Sequence, residues 1–149
     1  NIADIVPVAK SAEEAGADAI VAINTVRGLA LDVETGRPLL SHGIGGLSGK
    51  AIKPIGVRVV YELFPHLNIP IIGVGGIFTW QDVLEYLYAG ATAVQIGSAF
   101  SRGHDVIPNI LKGLDSFLTR KKIENLQQIK GKAHKYKSQL QDDPQICPN

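Results

Sequence analysis

Apolar residues recur at helical spacing from the start of the chain. Ile5, Val8, Ala9, Ala12 and Ala15 fall on one face, and Gly16 stands where a helix stops. The pattern then changes to a short continuous apolar run, Ala19 to Ile23, which suits a strand buried on both faces of a parallel sheet. Asn24 and Thr25 are the first polar residues after it. A second copy lies downstream, with Ala15 to Asn24 aligning with Ala89 to Ser98: helix end, Gly stop, Ala-x-Ala, apolar strand, small polar end. Short Ala-rich stretches also match by chance; the alternative is a repeated helix–strand unit, the building block of a β/α barrel.

Between the two copies, Ile69 to Val74 predicts a third strand, ending in Gly75-Gly76. Ile52, Ile55, Val59, Val60 and Leu63 mark the helix ahead of it, with Ser48 as a candidate cap and Pro65 ending it near Phe64. Thr79 and Asp82 are spaced as a capping box, with Asp in place of the usual Glu, before a helix that carries Val83, Leu84 and Leu87 and stops at Gly90. Ile107, Ile110, Leu111, Leu114 and Leu118 mark another. Alternating helices and strands predict an α/β fold with a parallel sheet. Three strands are visible, and a closed (β/α)₈ barrel needs eight. Segment 26–49 is Gly-rich and long for a connection, with a turn at Thr35 to Pro38 that suits a small hairpin.

Composition changes this picture little. Net charge is +1 and the apolar share 45%, ordinary for a globular core and without a field that attracts nucleic acid or acidic membranes. The single cysteine, Cys147, leaves no disulfide framework and suggests a reducing, cytoplasmic setting. No apolar run approaches the roughly 20 residues of a membrane helix. The chain has no Met and opens directly on a helix pattern, so a fragment is the expectation. Residues 120–137 hold seven of the fifteen Lys and Arg residues, which reads as a solvated helix end; 131–149 are expected to form a basic, disordered tail. His42, His66, His104 and His134 show no metal spacing.

In β/α barrels the C-terminal strand ends form the active face. Here that rule selects Asn24-Thr25, Gly75-Gly76 and Gly97-Ser98. Glycine lets backbone N–H groups approach a phosphate closely, and a following helix N-terminus adds favourable partial charge. A Gly-Gly pair alone is common in turns; two such sites at neighbouring strand ends point more narrowly to phosphate. Gly43 to Gly49 reads either as a flexible loop or as backbone lying over a flat ligand. Asn24 and Thr25 suit a planar ligand with mixed donors and acceptors, and Asn24 equally suits a turn.

These residues converge on one family. Ile23-Asn24-Thr25, Gly45 to Pro54 (GGLSGKAIKP), Ile69 to Ile77 (IPIIGVGGI) and Ala93 to Ala99 (AVQIGSA) resemble dihydroorotate dehydrogenase, in order and spacing over residues 1–130. Gly28 to Asp32 and Gly36 to Pro38 favour its class 1, type B, NAD-dependent catalytic subunit. The resemblance implies the last three βα units of an FMN-binding TIM (β/α)₈ barrel over residues 1–130. It implies oxidation of dihydroorotate to orotate in pyrimidine (UMP) biosynthesis: a base removes the C5 proton while hydride passes from C6 to flavin N5. By position, Asn24 and Thr25 match residues that bond the pyrimidine, Ile23 and Gly49 match residues against FMN, and Gly75, Gly76, Gly97 and Ser98 match the phosphate and ribityl grip. The family's base is a Cys on an upstream loop, so no catalytic residue is expected in this chain, and the chain alone is expected to be inactive. Implied partners are a homodimeric mate and a second subunit carrying FAD and [2Fe-2S], with neither nucleic acid nor membrane. A dihydropyrimidine dehydrogenase-like flavin barrel shares the Asn-Thr and Gly-Gly positions and is the alternative.

Overall fold

The helix pattern that opens the chain becomes α1 (Val6–Glu14) in the computed structural model, which describes residues 2–136. Pro7 sits in its first turn, where a missing N–H costs nothing, and Asp4 accepts from the Val6 N–H at 3.2 Å. Gly16 ends it in the left-handed region at φ 95°. Ala9 is the residue that α1 buries, while Val8, expected inward, is half-exposed.

The second expected helix begins later than its cap assignment. A 3-10 turn at Lys50–Ile52 leads into α2 (Lys53–Leu63), and Gly49, not Ser48, precedes that turn without any side-chain cap. Pro54 opens α2 instead of a capping hydroxyl. Pro65 ends it as expected, within a 3-10 turn at Phe64–His66. The capping box forms in full at α3 (Trp80–Ala89), and Gly90 stops it at φ 126°. Among the described residues the last α-helix is α4 (Val106–Lys121).

Three strands, β1 (Ile20–Ala22), β4 (Ile71–Val74) and β5 (Ala93–Gln95), form a parallel sheet in the order β1-β4-β5. Val21 pairs with Ile72, and Gly73 with Val94, so all three strands end on the same rim. α2 and α3 cover one face and bury Val60, Leu63, Ile71, Leu84, Tyr86 and Leu87. Among the described residues, no such layer covers the opposite face. β1, expected to be buried on both sides, therefore leaves Val21 53% exposed.

Segment 26–49 is a hairpin. β2 (Val26–Gly28) and β3 (Gly45–Leu47) pair antiparallel, and a bridge joins Leu31 to Pro38. Asp32 closes the tip by accepting from the Thr35 N–H and hydroxyl at 2.7 and 2.8 Å, which holds its carboxyl below the ordinary range. At the other end of the chain, residues 131–136, grouped by composition with the tail, pack on the domain. Gly131 N–H donates to Leu87 O, His134 Nε2 donates to Ala89 O, and the His134 ring stacks on Tyr61 at 4.0 Å. The remainder of the expected tail, 137–149, with Cys147, lies outside the described residues.

Candidate functional site at the strand ends

Parallel register brings the ends of β1, β4 and β5 side by side and opens a cleft of about 120 Å³ between them. Six of the residues singled out from sequence line it: Ile23, Thr25, Gly75, Gly76, Gly97 and Ser98. Ser48, Ile52, Val74, Ile77 and Gln95 complete the wall, so no lining residue is acidic. Small-molecule pockets start at roughly 300 Å³. The cleft therefore encloses a phosphate-sized group and its neighbouring atoms, and a larger ligand would extend out of it.

Asn24 and Gly49, expected in the same site, do not line this cleft. Asn24 faces two shallower basins, one with Ile55 and Arg58, the other with Arg27, His42 and Gly46. Its Oδ1 accepts from the Thr25 N–H at 2.7 Å and the Thr25 hydroxyl at 3.3 Å, so its carbonyl end is committed locally. Gly49 stands behind the cleft instead of against it: its carbonyl oxygen lies 2.9 Å from where a Cβ on Gly76 would fall.

Glycines shape the remainder. Gly76 has φ 69°, and a Cβ there would meet Lys53 Cβ at 2.7 Å and Lys53 N at 2.9 Å, so no other residue fits between the two loops. A Cβ on Gly97 would meet nothing within 4 Å and would project into open space. On β3, Gly46 leaves the room that the Thr25 hydroxyl occupies, which seats Thr25 at the rim.

Behind the Gly75-Gly76 turn lies a polar network that sequence reasoning recognised only in part. Asp82 Oδ2 accepts from the N–H groups of Phe78 and Thr79, both at 2.9 Å, and from the Thr79 hydroxyl at 3.0 Å. Its Oδ1 accepts from Lys53 Nζ at 2.8 Å, and Lys53 also reaches Glu85 at 2.6 Å. Burial pushes the Asp82 carboxyl up, but the bonds from Lys53, Phe78 and Thr79 outweigh it and hold the carboxyl below its ordinary range. Burial likewise pulls the Lys53 ammonium down, and the two carboxylates outweigh it to leave it raised. Lys53 and Asp82 stand 29 residues apart, so only the local half of the network, Thr79 with Asp82, was visible as a motif.

Tyr86 is the second missed residue. It is fully buried, and its hydroxyl donates to Gly75 O at 2.8 Å and Val74 O at 3.3 Å. Its ring fills space left by Gly56 and Gly73, where an added Cβ would collide with it. Two bare glycines facing the same helix were the available signal for a large side chain between them.

The chemistry of this cleft suits a phosphate-bearing cofactor. Among the described residues, no hydrogen bond uses the N–H groups of Gly76, Gly97 or Ser98. Unused N–H donors at consecutive strand ends, with no carboxylate in the lining, are what an anion needs. Lys50 and Arg102 bracket the Phe78 ring at 5.5 and 4.9 Å, bringing positive charge to the same turn.

The family model described as dihydroorotate dehydrogenase matches residues 1–118. The chain is 51% identical over 134 residues to the dihydroorotate dehydrogenase B (NAD(+)) catalytic subunit of Methanosarcina mazei, covering 90% of this chain and 43% of that protein. It is 47% identical to the proteins of the same name from Methanocaldococcus jannaschii and Bacillus caldolyticus, covering 90% and 91% of this chain and 44% and 43% of those proteins. The chain thus spans less than half the length of the curated relatives it matches.

Proposed function

The chain belongs to the dihydroorotate dehydrogenase family, and from that premise we propose that it carries the FMN phosphate grip and part of the pyrimidine site of an enzyme that oxidises dihydroorotate to orotate in pyrimidine biosynthesis. The observation that carries this reading is the cleft itself: Thr25, Gly75, Gly76, Gly97 and Ser98 meet there from three neighbouring strands. The parallel order β1-β4-β5 supports reading these strands as the last three of an eight-stranded barrel.

Bound FMN supplies the two-electron oxidation. The residues of this chain bind and orient. The N–H groups of Gly76, Gly97 and Ser98 hold the phosphate, and the apolar side chain of Ile23 lies beside the flavin. Gly49 acts through Gly76, supporting the turn from behind. Thr25 presents a hydroxyl to the pyrimidine, and Asn24, its Oδ1 bonded to Thr25, offers its amide N–H groups. We assign no catalytic base to this chain; it comes from the portion of the enzyme upstream of these residues. In this reading the full enzyme is a cytoplasmic homodimer that pairs with an FAD and [2Fe-2S] subunit; the words "catalytic subunit" in the relatives' names support the existence of a second subunit. Among the described residues, no helix is long and apolar enough to cross a membrane.

The test is to purify the family-length polypeptide carrying this chain and follow orotate formation from dihydroorotate. The expected result is a yellow protein that turns over dihydroorotate. A flavin-loaded preparation that leaves dihydroorotate untouched would falsify the reading.

A further inference from the structure

The direction of the Gly75–Gly76 peptide is fixed from behind. Gly75 O accepts from the Tyr86 hydroxyl at 2.8 Å, inside the layer between sheet and helices. Among the described residues the only cis peptide is Ala22–Ile23, so the 75–76 link is trans. In a trans peptide the N–H points opposite to the C=O. The Gly76 N–H therefore points away from α3, toward the side on which Gly76 lines the cleft. Both residues have positive φ, 127° and 69°, and without side chains little else resists rotation of this peptide plane. A rotated plane would present a carbonyl oxygen to the cleft, and an anion would meet an acceptor where it needs a donor.

We propose that Tyr86 is a positioning residue that sets the polarity of the Gly75–Gly76 peptide, and so makes the cleft select a phosphorylated flavin over its unphosphorylated form. Tyr86 touches no ligand in this role; it acts through one backbone amide. Its burial keeps the hydroxyl a donor at all physiological pH, with the pKa pushed up to about 12. The inference rests on the reading of the cleft as the FMN phosphate site.

The test uses the ¹⁵N-labelled chain and its Tyr86→Phe variant, titrated separately with FMN, riboflavin and inorganic phosphate. In the wild-type chain, FMN and phosphate should both move the Gly76 amide resonance, and FMN should bind more tightly than riboflavin. In the variant, the FMN-to-riboflavin affinity ratio should fall roughly ten- to a hundred-fold, the loss of one hydrogen bond to a charged group. Riboflavin affinity should not change. A merely structural Tyr86 would weaken both flavins together and leave the ratio intact; that result overturns the proposal while the phosphate reading stands. A wild-type chain with no preference for FMN overturns both. If the variant does not fold, the wild-type titration decides, and a Gly76 amide that ignores phosphate sinks the idea.

Discussion

Replacing Asp82 with Asn tests the network behind the cleft, because Asp82 joins the Phe78–Thr79 segment at the start of α3 to Lys53 at the start of α2. Asp82 is 8% exposed, and its carboxylate accepts four bonds, three from the Phe78–Thr79 segment and one from Lys53. Asn keeps one oxygen. If that oxygen faces Phe78 and Thr79, the amide NH₂ meets the Lys53 ammonium, and a charge-assisted bond of about 1.5–3 kcal/mol is lost. If it faces Lys53, the helix cap is lost at about 0.5–2 kcal/mol, and buried N–H groups are left opposite an N–H donor. Either way, a loss of about 2–4 kcal/mol is expected, a large share of the 5–15 kcal/mol typical of a domain. With a urea slope of about 2 kcal/mol/M, the unfolding midpoint should drop by about 1–2 M. The acid limb adds a second readout. The folded carboxyl is held below its ordinary range, so it contributes stability above about pH 3.9 that disappears as pH falls toward its folded value. The Asn variant should lose that part of the acid dependence. A midpoint within about 0.2 M of wild type, with an unchanged acid limb, would refute the reasoning.

Gly76→Ala and Gly97→Ala should separate fold from binding. The first forces a Cβ to within 2.9 Å of Gly49 O and Lys53 N at positive φ and should lower the thermal midpoint, read by circular dichroism. The second meets nothing within 4 Å, so it should leave that midpoint unchanged while abolishing flavin retention in the family-length enzyme. At high pH the folded state keeps the Tyr86 proton that the unfolded chain releases near 10. Stability should therefore fall as pH rises from 10 toward 12, by up to about 2–3 kcal/mol, in denaturant titrations at stepped pH. The Lys53 ammonium, raised by its carboxylates, contributes a loss of the same sign over the same alkaline limb. The 149-residue chain alone should not carry FMN through gel filtration, because its cleft encloses only about 120 Å³; stoichiometric flavin in the eluted peak would contradict this.

What the sequence disclosed was local. Gly16 and Gly90 end helices because their backbones turn left-handed, and Thr79 with Asp82 forms a cap three residues wide; such features are written in adjacent letters. The strand-end site was legible for the same reason, since a parallel sheet needs no pairwise detail to put its ends on one rim. Ser48 misled because the helix behind it starts five residues later, after a 3-10 turn. The closeness of the Gly49 carbonyl to Gly76, where it leaves no room for a Cβ, is a relation that no local pattern encodes. Lys53 with Asp82, and Tyr86 with Gly75, join distant positions and appear only once the helices are packed.

The short clasp formed by residues 129–136 has a mechanical consequence for the cleft, although it lies at the other end of the helices. α2 and α3 both begin beside the cleft, where Lys53 and Asp82 tie them together. They finish where Ile129 is buried, Gly131 bonds Leu87, and His134 bonds Ala89 while stacking on Tyr61. Two rods pinned at one end can scissor; pinned at both, they behave as a stiff frame. The clasp thus makes the spacing between the Lys53 loop and the Gly75-Gly76 turn a property of the whole frame, so that loosening the turn at Lys132–Tyr136 would be felt as slack at the opposite rim.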